Sequence, residues 1–416
     1  MKTILALVLF LVVGFVASRG FLSRAKSKLP VKVLFLTGVE YFFLGILLGP
    51  RFFNLLTAEV LEDLSPVVYL ALGWAGLLFG MQLNWRQIRR VSTGIFEFLM
   101  LDVLIIGAVC ALLFTFRLHV LFPELSRAEI ATSAAVLAIT AAISSPTIVT
   151  VLSHLMPSRG RFTSTVKVAT SLSAVIPLFA FGLFYTIAHP GFFVSEGFVS
   201  GFLWWLFANG VGVLMGVVFV WLTMQRMTRD ERLLVIMGTV IFVGGICYYF
   251  RLSALYTAMI MGIVAGNFSR RRVRMFEQLL SMEKTIYIVF LIVIGGMVSF
   301  SGARFVLLLV LYVAARLVLK VTVSSWAIST TFHEFKPMKA YSGLALSAQG
   351  AIALAVALDY GLGTTGQLVE TVVAVIAFAV VINEFIGVLL TRRSFRASGE
   401  VTQRRASADT RNPSRK

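Results

Sequence analysis

Two cysteines, four histidines and nineteen carboxylates are few for a chain of 416 residues. Cys110 and Cys247 stand alone within apolar runs, which excludes a disulfide framework and a thiolate metal motif. His119, His154, His189 and His333 are scattered over loops and helix ends, so no metal site is expected. No phosphate-binding glycine loop or nucleophile–base pair is present; the chain reads as neither an enzyme nor the holder of a cofactor. Charged residues make up 13% of the sequence against 58% hydrophobic, and the mean hydropathy is +0.91. A water-soluble protein of this length could not bury so much apolar surface. The expected fold class is an all-α polytopic membrane protein whose first partner is the lipid bilayer.

What is abundant is apolar sequence in spans of about 20 residues, the length a helix needs to cross a bilayer. Thirteen such segments are legible, at 3–18, 31–49, 63–83, 94–116, 128–151, 165–188, 198–224, 232–250, 252–268, 285–301, 304–326, 341–359 and 367–391. The first has Lys2 ahead of it and a basic flank without a small-residue cleavage site, so an uncleaved helix is expected. The net charge of +18 does not point to nucleic acid, because the cations cluster in short loops. With the N-terminus outside, 29 of the 37 Lys and Arg fall on the inner side and 6 on the outer, leaving Arg316 and Lys320 within a span. That is the positive-inside pattern, and it predicts a cell-membrane protein with a cytoplasmic C-terminus. The stretch 269–284 is amphipathic and predicts an interfacial helix. The stretch 392–416 is basic and lacks apolar periodicity, which predicts a disordered cytoplasmic tail.

The segment AAVLAITAAISSPTIVTVL is interrupted at Ser144-Ser145-Pro146. Proline removes a backbone donor and turns the residue before it away from helical angles. In hydrocarbon such a break survives only against protein or a watery cavity. A second candidate break, LALSAQGAIALAV at 344–356, occupies the matching place in the other half. One segment runs inward and the other outward, each with a span on either side. This is the pattern of an inverted repeat with two crossed discontinuous helices, and transporters bind their substrates where such helices break.

Five stretches in order carry a resemblance: TGVEYFFLGILLGP (37–50), LEDLSPVVYLALGWAGLLFGMQLN (61–84), VIPLFAF (175–181), GNFSRRRVRMFEQLLSMEKTIYIVFLIVIGGMV (266–298) and SAQGAIALAV (347–356). The set resembles monovalent cation:proton antiporters of the second family, which includes Kef-type potassium efflux proteins and is akin to sodium/hydrogen exchangers. The resemblance implies secondary transport of a monovalent cation against protons. It also implies a homodimer and an antiporter-like domain over 31–391 after a first helix and basic loop at 1–30. A moving core (94–188 and 304–391) would work against a scaffold and dimer domain (31–83 and 198–301).

The sequence departs from that pattern where the chemistry should lie. The family's aspartate before the VIPL-type stretch corresponds to Leu172, and the acidic residue after the Gln-Gly pair is replaced by Ala351 and Ile352. No carboxylate occurs between Thr147 and Ile187. The candidate pathway is therefore neutral or basic: Thr140, Ser144, Ser145, Thr147, Ser171, Ser173, Arg316, Ser347 and Gln349. An arginine at mid-bilayer costs ~3 kcal/mol and needs a partner; Arg316 either meets a half-helix C-terminus or binds an anion. Lys320, a turn further on, is expected to snorkel. Asp102 and Glu384 are the candidate proton- or cation-binding carboxylates. The structural alternatives are an Asp102–Arg316 pair and a helix-end contact for Glu384. The runner-up functions are transport of an anion or neutral organic solute by helix dipoles and Arg316, and a homologue that has lost transport.

Overall fold

The computed structural model describes residues 40–188, 198–225, 227–298 and 302–401. The expected first span at 3–18, its basic loop, the start of the second span and the tail beyond 401 lie outside the described residues. Fourteen helices of nine residues or more organise the rest: α1 (Glu40–Leu48), α2 (Ser65–Gln82), α3 (Thr93–Leu121), α4 (Arg127–Ala142), α5 (Pro146–Leu155), α6 (Arg161–Leu172), α7 (Val175–Ala188), α8 (Phe198–Leu222), α9 (Arg229–Phe250), α10 (Ala254–Phe268), α11 (Arg272–Met297), α12 (Gly302–Thr331), α13 (Ala351–Gly363) and α14 (Val369–Ala397). Among the described residues nine spans are long and apolar enough to cross a membrane, α4–α5 and α6–α7 each counting as one. A bent pair of helices, 340–346 and 351–363, makes a tenth. With α10 and the described part of the second segment, helices stand at all the expected places from 40 onward.

Short polar residues start these helices. Ser126 accepts from the Glu129 amide at the head of α4, Ser253 accepts from Tyr256 N at the head of α10, and Thr228 and Glu231 form a reciprocal capping box on α9. Each satisfies amide groups that a helix leaves unpaired at its N-terminus. Glycines let helices approach to backbone contact. A Cβ on Gly80 of α2 would lie 2.1 Å from the Met259 carbonyl of α10, and one on Gly262 would lie 2.5 Å from the Leu77 carbonyl. Small residues four apart are how membrane helices pack without a hydrophobic driving force.

Two expectations about the basic segments change. The stretch 269–284 is not a separate surface helix: after a turn at 269–271, residues 272–284 form the opening turns of α11, a continuous helix of 26 residues. The tail begins later than 392, because α14 runs on to Ala397. Beyond it, Glu400 accepts hydrogen bonds at the head of α6 from Phe162 N (2.8 Å), Thr163 N (2.9 Å) and Thr163 Oγ1 (2.8 Å). A carboxylate at a helix N-terminus satisfies free amides and meets the positive end of the dipole, and this holds the start of the tail against the bundle.

Candidate functional site

The two breaks cross. Between α4 and α5 the chain is extended at Ile143 (φ −72°, ψ 136°) and Ser145 (φ −87°, ψ 123°), as a residue before proline prefers. The second interruption is a 3-10 turn, Gly343–Leu346, then an extended strap through Gly350 (φ −126°, ψ −163°) into α13. The straps pair directly: Ser145 N donates to the Ala348 carbonyl at 3.0 Å, and Ser144 Oγ to the Leu346 carbonyl at 2.9 Å. A Cβ on Gly350 would lie 2.6 Å from Ser145 Oγ, so glycine is what allows the approach. Ser173, at the end of α6, accepts from Ser144 N at 3.1 Å.

Arg316 of α12 reaches this crossing fully buried. Its guanidinium donates to the carbonyls of Ser347 (2.5 Å), Ile143 (2.8 Å) and Ala348 (3.2 Å). These are the exposed carbonyls of two half-helix ends, the negative poles of their dipoles. Three charged hydrogen bonds at ~1.5–3 kcal/mol each outweigh the ~3 kcal/mol insertion cost. A polar relay continues from the crossing. Gln349 donates to the Thr140 carbonyl (2.9 Å) and contacts the Tyr312 hydroxyl (3.0 Å), which also meets Thr140 Oγ1 (3.0 Å); Asn383 of α14 donates to Gln349 Oε1 (3.0 Å). Ser347 is buried and its hydroxyl bonds to the Leu344 carbonyl.

The two candidate carboxylates end in different surroundings. Asp102 is completely buried, held by Lys320 Nζ at 2.8 Å and Ser324 Oγ at 2.5 Å. Its partner is therefore Lys320 and not Arg316, and Lys320 does not snorkel: four residues on along α12, it faces α3 with no exposed surface. Glu384 follows Asn383 at the level of the crossing and accepts from the Tyr287 hydroxyl at 3.3 Å. It lines a cavity of about 800 Å³ that Glu283, Lys284, Thr147, Thr150 and Ser171 also line. Pro146 and Ala351, the first residues of α5 and α13, border the same space. Arg272 lines it as well. A second cavity of about 1110 Å³ lies beyond the far end of α13, at Leu362 and Gly363, with Glu62, Glu129 and Tyr185. Twelve residues of helix separate Ala351 from Gly363, roughly 18 Å at 1.5 Å per residue. Leu78, Leu178, Leu255, Phe290, Ile352 and Ala355 fill the interval around a void of about 60 Å³. Toward the far end, Asp359 of α13 accepts from Ser253 Oγ and Leu255 N, tying α13 to the head of α10.

A sequence model described as the sodium/hydrogen exchanger transmembrane family matches residues 7–392. The chain belongs to that family. Membership places this exchanger-family chain among membrane transporters and outside the enzymes. No curated protein matches it by sequence. Solved structures give the fold: the chain is similar to the sodium proton antiporter MjNhaP1 from Methanocaldococcus jannaschii in a structure at pH 8, with TM-score 0.66 and 14% identity over 96% of this chain and 99% of that one. It is also similar to a 3D EM map of that antiporter, with TM-score 0.59 and 16% identity over 96% of this chain and 95% of the other.

Leu172, where the family resemblance would lead one to expect an aspartate, does not line the polar cavity of this exchanger-family chain. It borders a separate apolar cavity with Val175, Ile176 and Phe179. Several members of the network carried no usable signal in the sequence. Tyr312 and Tyr287 look like ordinary aromatics within apolar runs, and Glu283 sits in a stretch that reads as surface. The Asp102–Lys320 spacing was the signal that could have been read. Two charges on different apolar spans, each costly alone, call for one another.

Proposed function

We propose that this chain exchanges a monovalent cation for protons through the cavity at Glu384, with Glu384 taking proton and cation in turn. The carrying observation is that Glu384 lies at the level of the crossed breaks and lines a polar cavity, whereas Asp102 is sealed against Lys320 and Ser324. A carboxylate can hold one proton or one cation, and that exclusivity is the coupling. Thr147, Thr150 and Ser171 supply neutral oxygens along the approach, and Glu283 adds a second negative charge to the wall. Arg316 acts as the clamp on the half-helix carbonyls. In this reading α3–α7 and α12–α14 form the moving core, α1, α2 and α8–α11 form the scaffold, and the basic loops face the cytoplasm. Homodimerisation through the scaffold is part of the same reading.

The test is proteoliposomes carrying an internal pH dye and an imposed pH gradient. Addition of sodium or potassium should dissipate the gradient in the native protein, and Glu384→Gln should abolish the response while keeping the monodisperse elution of the native protein. A full response in Glu384→Gln would remove Glu384 from the mechanism. A second reading, transport of an anionic solute, draws on Pro146, Ala351, Lys284 and Arg272 around the same cavity, since helix N-termini attract anions. It predicts that anion gradients, and not cations, drive transport, with Lys284→Gln the damaging change. A protein silent to both would be a homologue without transport.

A further inference from the structure

The apolar cavity at Leu172 has a volume of about 790 Å³ and lies apart from the polar one at Glu384. Its walls come from three places: Leu172, Ile176 and Phe179 of α6 and α7, Leu99 and Met100 of α3, and Ile263 and Phe268 of α10. Its size is that of a small-molecule site, roughly 300–1,000 Å³, yet it offers a polar ligand little. Asn267, the amide in its lining, is spent on Trp85 N (2.7 Å), the Leu83 carbonyl (3.0 Å) and the Ile263 carbonyl (2.7 Å). The mouth has the opposite character. Arg86 lines it beside Trp85, and Arg89 stacks over the Trp85 ring at 5.1 Å. Among the described residues neither Arg86 nor Arg89 has a carboxylate partner. Trp85 and Phe268 are 58% and 73% exposed, so the cavity opens at the ends of α2 and α10, beside the basic stretches that follow them. A tryptophan at this position marks the headgroup level.

The geometry points to an anionic phospholipid as the occupant, with one acyl chain between α7 and α10 and its phosphate at Arg86 and Arg89. The charge pattern selects the class. A free organic anion would meet the arginines but leave the apolar walls empty; a zwitterionic lipid would fill the walls but bring a compensating cation to the mouth. Basic pockets between membrane helices bind anionic headgroups, at ~1 kcal/mol per cation. Two arginines then favour an anionic over a zwitterionic lipid by roughly 30-fold, at 1.4 kcal/mol per tenfold. The site does not depend on the transport reading, because neither Glu384 nor the crossed straps line it.

The test is native mass spectrometry of the delipidated full chain with phosphatidylglycerol or phosphatidylcholine of identical acyl chains. The expected result is retention of one phosphatidylglycerol with a preference on the order of 30-fold. In Arg86→Gln/Arg89→Gln, two exposed changes, the preference should collapse to a few-fold while the melting temperature without lipid stays unchanged. Ile176→Trp, which fills the cavity, should lose both lipids. Glycerol 3-phosphate alone should not compete. Equal retention of the two lipids, an undiminished preference in the double variant, or full competition by glycerol 3-phosphate would each overturn the assignment, the last in favour of a free-anion site.

Discussion

Removing one member of the Asp102–Lys320 pair should cost far more than removing both. The two groups are 2.8 Å apart with no exposed surface on either side chain. At an effective dielectric of 20 their attraction is ~6 kcal/mol before desolvation is charged against it. Desolvation cancels much of that, which is why replacing a whole buried pair by apolar residues is often neutral or stabilising by ~1–4 kcal/mol. Breaking one side instead leaves a bare charge and costs about 3–5 kcal/mol. Lys320→Met should therefore destabilise by about that amount, with Asp102→Asn losing somewhat less because asparagine can still accept from Ser324. Asp102→Leu/Lys320→Met should recover most of the loss. For a chain of this length, at about 2.1 cal/mol/K of unfolding entropy per residue, each kcal/mol moves the midpoint by ~1 °C. The single variant should melt about 3–5 °C lower in detergent, and the double variant close to the native protein. Cation-driven proton flux measured on the double variant decides the role of the pair. Retained flux keeps Asp102 structural. If Asp102→Asn leaves the melting curve unmoved and stops the flux, the reasoning fails and Asp102 is the coupling group.

Other changes probe the fold and the crossing. Gly80→Val would drive a side chain into the Met259 carbonyl of α10, where even a Cβ would lie 2.1 Å away; a loss of about 1–3 kcal/mol or more is expected, read by thermal melting, and an unchanged curve would deny the close contact. Arg316→Lys keeps the charge but cannot fork across three carbonyls; it should lower stability and transport together, and full activity would show that a point charge suffices. Glu400→Ala removes three hydrogen bonds from the head of α6 and should cost ~0.5–2 kcal/mol, with faster amide exchange at Phe162 and Thr163 as the local sign.

The membrane class, the span positions from residue 40 onward and the two interruptions were legible in the chain because each rests on local rules. A bilayer demands about twenty apolar residues, and a proline within such a span removes a backbone donor and kinks or breaks the helix there. Three-dimensional structure decided what those breaks touch and which charge answers which. Arg316 and Lys320 are one turn apart on α12 and look interchangeable in the sequence. One meets carbonyl ends of half-helices and the other meets Asp102, because their side chains leave the same helix toward different neighbours. Glu384 likewise reads as a helix-end residue until α11 and α13 are folded beside it, when it lines a polar cavity together with Glu283. Apolar length is a property of each segment by itself. Ion pairing depends on which faces of distant segments meet, and that is settled only when the bundle is assembled.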